Sequence, residues 1–412
     1  MSPPASATIN RPLTGIRVVG LEQYMAGPYC TMLLADAGAE VIKIERPGVG
    51  DPRRSIAPFA EKDGAKKAAG FMAYNRNKKS LALNLREPRG QEVFRKLAAT
   101  ADVVVENLRP GSMSKQGLGH REMRAANPRL VWAIISGFGR MDGYTGPYSD
   151  RPAFDIVAEA MSGVMNLVGF DDKPPSATIY GMADVYSGMC TAYGIMQALF
   201  MRERTGEGQL VDSAMFDNMI ALNEAMIALY SVSGQVPQRG QSKNYWPRGA
   251  FATTDGYIAI NVPDEIIWKR ICEIMERPDL ADDERACNGP ARAANTDYLA
   301  PILEGWLGSM TRDEAVGKFN DAGIPCGPVY AADDVFNDPH VAARRVLMPV
   351  SDPDVGEYRF ARTPPLLSAA PELPANPPPN LGQHTREILE SLLGYDTADV
   401  DAMAADGVVQ LP

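Results

Sequence analysis

Residues 16–135 alternate short β-branched runs with helix-patterned stretches, and this alternation restricts the architecture more than any other feature of the chain. Ile16-Arg17-Val18-Val19-Gly20-Leu21 reads as a buried strand, and residues 28–37 read as a helix opened by Pro28 and stopped by Gly38. A second strand follows at 41–45. The pattern recurs with a strand at 80–85, a helix from Pro88 to about Thr100, a strand at 102–107 and another at 130–135. Strand–helix–strand units need crossover connections, and a parallel sheet covered on both faces accommodates them. The expected class is α/β, a large Rossmann-like parallel-sheet domain with a smaller α/β domain beside it.

A chain of 412 residues exceeds one ordinary core, so two domains are expected. From 154 to 230 the pattern turns helical, with helices expected at 154–168, 182–202 and 212–231. Residues 233–248 are polar with Gly and Pro and read as a linker, and residues 251–262 read as a hairpin turning at Asp255-Gly256. Helices at 264–277, 297–308 and 311–322 continue this smaller region; a Pro-rich connector at 363–381 precedes a final helix at 385–393.

Several function classes fit poorly. The turn after the first strand, Glu22-Gln23-Tyr24-Met25-Ala26-Gly27-Pro28, lacks the glycines of a dinucleotide fingerprint. No Gly-x-Ser-x-Gly elbow occurs, and His120, His340 and His384 follow no metal-ligand spacing, so no metal site is expected. Cys30, Cys190, Cys272, Cys287 and Cys326 are scattered without C-x-x-C pairs. No apolar run reaches the ~20 residues of a membrane span, and Met1-Ser2-Pro3-Pro4 does not open like a signal peptide, so a cytoplasmic protein without a membrane partner is expected. A net charge of −10 argues against nucleic acid. The charge is uneven: residues 1–130 hold 21 Lys and Arg against 12 Asp and Glu, the remainder 20 against 39. An anionic ligand would sit on the N-terminal part, and a solvated basic face gives the same count.

The segment Gly181-Met182-Ala183-Asp184-Val185-Tyr186-Ser187-Gly188 places one carboxylate among small residues at the start of an apolar helix. Asp184 there is either a helix cap or an accessible nucleophile.

Separated blocks resemble one family in order: Ala26-Gly27-Pro28, Val41 to Gly48 with Gly50-Asp51, Asn77-Lys78-Lys79-Ser80, Glu106-Asn107 with Pro110-Gly111, and Thr205-Gly206-Glu207-Gly208-Gln209. Together they resemble the class III CoA-transferases, a family that also contains 2-methylacyl-CoA racemases. The resemblance implies coenzyme A contacts at Met25, Ala26, Arg46, Leu83, Asn84, Leu85, Arg86, Asn107, Leu108, Arg109, Lys115, Ser136, Gly137, Phe138 and Gly139, and a catalytic role for Asp184. CoA phosphates suit Arg, Lys and close-packed backbone donors.

The implied reaction carries CoA from an acyl-CoA to a small carboxylic acid through an aspartyl anhydride and an aspartyl-CoA thioester, with CoA as substrate and no further cofactor required. A helix start beside Asp184 is expected to favour its ionised form. The racemase branch has a His where Ala153-Phe154-Asp155 stands, and Phe154 cannot move a proton, so transfer is favoured over racemisation; binding without turnover is a further alternative. The glycine run that formyl-CoA transferases carry after the linker is replaced by Asn244-Tyr245-Trp246-Pro247-Arg248-Gly249, so a different lid is expected. Arg53, Arg54 and Arg248 suggest a dicarboxylate substrate. The resemblance further implies an interlocked homodimer, with residues 1–232 as the first part of the large CoA-binding domain, 233–340 as the small α/β domain with its linker, and 341–412 returning to complete the large domain.

Overall fold

The computed structural model describes residues 11–240, 246–372 and 375–412; Met1 to Pro4, Asn244 and Tyr245 lie outside them. Two compact units are present. One comprises the chain up to Asn166 with Ser176–Pro237 and Val346–Pro412, and the other comprises Leu167–Pro175 and Gln238–Arg345.

The first unit is built on seven strands: β1 (Arg17–Leu21), β2 (Glu40–Glu45), β3 (Lys78–Leu83), β4 (Val103–Glu106), β5 (Val131–Ser136), β6 (Leu210–Ala214) and β7 (Val409–Gln410). Their order is β7-β3-β2-β1-β4-β5-β6, parallel throughout except for β7, which runs antiparallel to β3. Each inner strand alternates its side chains between two cores, as a sheet covered on both sides must. Val19, Ile42, Val104 and Trp132 face one core, which α2 (Pro88–Thr100) caps with Val93, Phe94 and Leu97. Val18, Val41, Val103, Val131 and Ala133 face the other, against Cys30 and Leu34 of α1 (Ala26–Asp36) and Ile195 and Leu199 of the long helix α4 (Met182–Thr205).

The connections run outward from β1 in two directions, through β2 and β3 on one side and through β4, β5 and β6 on the other. The carboxyl ends of β1 and β4 therefore flank a topological switch point, where the diverging loops leave a crevice. Helices α1 and α4 cross nearby. At Gly188 of α4 a Cβ would fall 2.6 Å from the Ala26 carbonyl oxygen and 3.2 Å from the Cys30 nitrogen, so only Gly permits this approach.

Three expectations require correction. The helix expected at 154–168 is the short α3 (Asp155–Met161), followed closely by Gly163 at φ +86°. The stretch expected as one helix at 212–231 begins in β6 and then breaks into α5 (Met215–Leu222) and a helix at Glu224–Ser233. Pairing of Leu210 through Ala214 with β5 supplies these residues with a sheet ladder that local pattern does not reveal. The chain also does not end at the helix expected over 385–393: Thr385–Glu387 leads into a wider turn at Ile388–Leu392, and a helix at Thr397–Ala405 and β7 follow.

The second unit has a three-stranded antiparallel sheet, in which Gly256–Asn261 lies between Arg248–Thr253 and Cys326–Pro328. Trp246, Trp268, Leu303 and Phe319 fill its core. Arg292 is fully buried there, donating to the carbonyls of Trp246 at 2.7 Å and Ala286 at 3.1 Å.

Candidate active site

The turn after β1 is held from beneath by charge. Lys43 of β2 lies between Glu22 and Asp51, with its Nζ hydrogen-bonded to Glu22 and 2.9 Å from Asp51 Oδ2. Lys78 of β3 reaches Glu22 at 3.1 Å, and all four side chains are buried. Burial alone would push the Glu22 carboxyl up, but the two ammonium groups outweigh it and hold Glu22 below its ordinary value. Asp51 Oδ1 accepts from the backbone N–H groups of Tyr24 and Arg53, which fixes Tyr24 at φ 63°. Part of the basic excess in the N-terminal third is therefore internal.

Across the switch point, Asn107 follows β4 and clamps the same turn. Its Oδ1 accepts from the Gln23 N–H and its Nδ2 donates to the Gln23 carbonyl, both at 2.8 Å. The crevice so framed is a cleft of ≈ 430 Å³ that brings Gln23, Tyr24, Ala26, Asn107, Leu108, Arg109, Ser136, Gly137, Phe154 and Asp184 together. Ser136 Oγ accepts from the Gly139 N–H at 3.0 Å and shapes the turn after β5. Gln23, Arg151, Pro152, Ala153 and Phe154 also line this cleft, and sequence reasoning did not select them as contacts. Gln23 shares the β1 turn with Met25; the 151–154 stretch approaches only through tertiary packing.

The remaining residues expected to contact CoA fall into two groups. Arg46, Arg86 and Lys115 are exposed, on the segments that follow β2, β3 and β4, so they stand at the carboxyl edge of the sheet without lining the cleft. Asn84 and Leu85 follow β3 and are half-buried. Leu83 is a core side chain, Phe138 packs against Tyr148 and Phe216, Gly139 is buried, and Met25 is buried at the start of α1. Met25 packs against Gly181, where a Cβ would fall 2.1 Å from its Cε.

Asp184 stands in the first turn of α4, but it is not the cap. Gly181 at φ 84° occupies the cap position, and the capping oxygen comes from Asp155 of α3, whose Oδ1 accepts from the N–H groups of Ala183 at 2.6 Å and Asp184 at 3.1 Å. The Asp184 carboxylate makes no hydrogen bond or ion pair among the described residues. Burial and the neighbouring Asp155 charge push its pKa up to about 7, against a lowering influence from Arg53. The expectation that the helix start would favour the ionised form is thus corrected, because desolvation and a like charge outweigh it. A carboxylate of this basicity, unpartnered at a cleft edge, is a competent nucleophile toward a thioester.

Phe154 lines the cleft and is largely exposed, its ring edge-on to Tyr24 with centroids 6.3 Å apart. Of the three cations read as a dicarboxylate signal, Arg54 is consumed by Glu45, with Nε–Oε1 at 2.7 Å and Nη2–Oε2 at 2.8 Å. Burial pushes Glu45 up, yet these bonds bring it down to about 2. Arg248 belongs to the second unit. Arg53 lies outside the cleft lining and is hydrogen-bonded to Tyr180 at 2.9 Å, just before the Gly181 cap of α4.

Comparison with known proteins agrees with this geometry. The chain is 37% identical over 402 residues to the succinyl-CoA–D-citramalate CoA-transferase of Chloroflexus aurantiacus, covering 97% of this chain and 98% of that one. It is 39% identical over 398 residues to the succinyl-CoA:mesaconate CoA-transferase of Haloarcula hispanica, covering 95% and 99%. It is 35% identical over 403 residues to the succinyl-CoA:glutarate CoA-transferase of Mus musculus, covering 97% and 91%. Among solved structures, a CAIB/BAIF family protein from Brucella suis superimposes with a TM-score of 0.84 at 35% identity, covering 93% of this chain and 100% of that one. Residues 13–385 match the family described as CoA-transferase family III, and with a parallel-sheet fold of the same kind around its cleft the chain belongs to that family and is a CoA-transferase.

Proposed function

We propose that this enzyme moves CoA between a dicarboxylic acyl-CoA, such as succinyl-CoA, and a second small dicarboxylic acid, with Asp184 as the covalent nucleophile. The observation that carries the reading is the free, high-pKa carboxylate of Asp184 at the edge of a cleft at the sheet's switch point. Its ionised form attacks the thioester carbonyl; the carbon–sulfur bond breaks, CoA leaves as thiolate, and an aspartyl–acyl anhydride remains. The thiolate attacks the aspartyl carbonyl and expels the donor as its carboxylate, giving an aspartyl-CoA thioester. The acceptor carboxylate attacks that thioester and releases thiolate, which then attacks the acceptor's acyl carbon and frees Asp184. Charge balances at each step.

In this reading the start of α1 at Ala26, the loop Asn107 to Arg109 and the end of β5 at Ser136 with Gly137 hold the thiol-bearing arm, and Arg46, Arg86 and Lys115 at the sheet edge take phosphates. The relatives named above act on citramalate, mesaconate and glutarate, which supports a dicarboxylate substrate. The enzyme acts as a homodimer. The outer face of α4 carries Met189, Tyr193, Met196 and Phe200 at helical spacing, all exposed in the single chain, a stripe that suits a second copy. Among the described residues no helix is long and apolar enough to cross a membrane.

Donor acyl-CoA alone, treated with hydroxylamine, tests the mechanism. The expected product is an aspartyl hydroxamate located at Asp184 by peptide mass spectrometry. A hydroxamate at another carboxylate, or transfer by folded Asp184→Ala, would refute it.

A further inference from the structure

Arg53 is a buried cation to which the reaction scheme assigns no task. It sits in a short turn, Pro52–Ser55, whose start is capped by Asp51, and it is only 9% exposed. Its Nη1 donates to Tyr180 Oη at 2.9 Å, and the guanidinium carbon lies 5.3 Å from the Tyr180 ring centroid. Tyr180 immediately precedes Gly181, the cap of α4, so the guanidinium is tied to the helix end that presents Asp184. The site is shaped to receive it: at Gly70 a Cβ would fall 2.4 Å from Arg53 Nε and 2.6 Å from Nη2, so any side chain there would displace the guanidinium. Nε is buried without a hydrogen-bond partner, and Arg53 has no ion pair among the described residues. The adjacent Arg54 differs in both respects, being bound twice by Glu45 and once by the Pro379 carbonyl.

A buried charge is ordinarily paired, because an unpaired one carries the full loss of hydration. The bond to Tyr180, next to the Gly181 cap, holds the guanidinium at the end of α4 that bears Asp184, so the missing counter-ion belongs on the nucleophile's side of that helix end. Asp184 itself does not fill the role: it forms no ion pair with Arg53, and it loses its charge whenever it is acylated. A mobile anion that arrives with the acyl group does fill it, and a dicarboxylic substrate carries one.

We propose that Arg53, steadied by Tyr180, is the specificity-determining cation that takes the distal carboxylate of the acyl group and of the acceptor acid while the other carboxyl carbon reacts at Asp184. This rests on the dicarboxylate reading above. Tyr180 is a positioning residue that orients the guanidinium.

The test compares kcat/KM for CoA exchange between succinyl-CoA and succinate with that between butyryl-CoA and butyrate, which replaces the distal carboxylate by a methyl group. Wild type, Arg53→Gln, Arg53→Lys and Tyr180→Phe are measured, each checked for unchanged thermal unfolding. A charge-assisted contact predicts that the succinate-to-butyrate ratio falls ~10- to 150-fold in Arg53→Gln. Arg53→Lys should recover part of it, and Tyr180→Phe, a change at an exposed ring, should lower it in the same direction. A ratio that survives Arg53→Gln, with both exchanges slowed equally, overturns the assignment and makes Arg53 a charge partner of Asp184 alone. Wild type active on butyrate but on no dicarboxylate overturns the substrate reading together with this one.

Discussion

Replacing Asp184 by Asn should make the protein more stable, by an amount that depends on pH. The Asp184 carboxyl lies near its reference value of 3.8 in the unfolded chain and is pushed up to about 7 in the fold. Between those values the folded state binds more protons than the unfolded one, so the stability this group confers is fully present below 3.8 and is lost as pH rises through 7. At about 1.36 kcal/mol per pH unit the whole loss is about 4 kcal/mol, of which about 3 kcal/mol falls between about pH 5 and pH 8. Asn does not titrate, so its advantage over wild type should widen by that amount across the interval. For a chain of 412 residues unfolding as one cooperative unit, about 3 kcal/mol corresponds to a widening of roughly 3 °C in Tm. Paired thermal scans at pH 5, 6, 7 and 8 read it, with intact mass confirming that the introduced amide has not hydrolysed back to the acid. The acid limb of kcat/KM in wild type should fall at the same pH, near 7. A Tm difference that stays constant from pH 5 to pH 8 would refute the argument, because it would mean that Asp184 ionises as an ordinary aspartate in the fold.

Asp155→Asn should move the acid limb of kcat/KM below 7 by removing the neighbouring charge while keeping a capping oxygen, whereas Asp155→Ala should also cost about 1 kcal/mol of stability through loss of the α4 cap; a pH profile unmoved by Asp155→Asn would contradict this. Lys43→Met should destabilise by about 3–5 kcal/mol in denaturant unfolding, because Glu22 and Asp51 are left buried without their shared cation. Gly188→Ala should cost about 1–3 kcal/mol and lower kcat, since the Ala26 carbonyl cannot yield and α4 must move off α1 with Asp184 on it; wild-type Tm and kcat in the Gly188→Ala enzyme would refute the close-packing argument.

Local sequence determined much of the scaffold. Val18 and Val19, Val41 and Ile42, and Val103 and Val104 are consecutive apolar residues that can only be buried on opposite faces, and a parallel sheet covered twice is the arrangement that does so. The boundaries of α2, expected from Pro88 to about Thr100, hold because Pro fixes the first turn and an amphipathic stripe continues from it. The Ala26-Gly27-Pro28 block, which opens α1, and the Asp184 segment were visible as separate signals, each with its own local pattern. What lay beyond local pattern was decided by partners distant in the chain. Leu210 through Ala214 is a strand because β5 offers it a ladder, and Val409 pairs with Leu83 although the two stand far apart in the sequence. In the sequence Lys43 and Lys78 only add to the basic count of residues 1–130, and it is the fold that buries Lys43 between Glu22 and Asp51 and brings Lys78 to Glu22. Asp184 was legible as a carboxylate at a helix start, and the sign of its pKa shift was not. The cap comes from Asp155, on a different helix, and the adjoining Ala183 is buried against Ala158 of α3 and Met215 and Met219 of α5. A pKa records the dielectric and the charges of the whole neighbourhood, and that neighbourhood exists only in the folded chain.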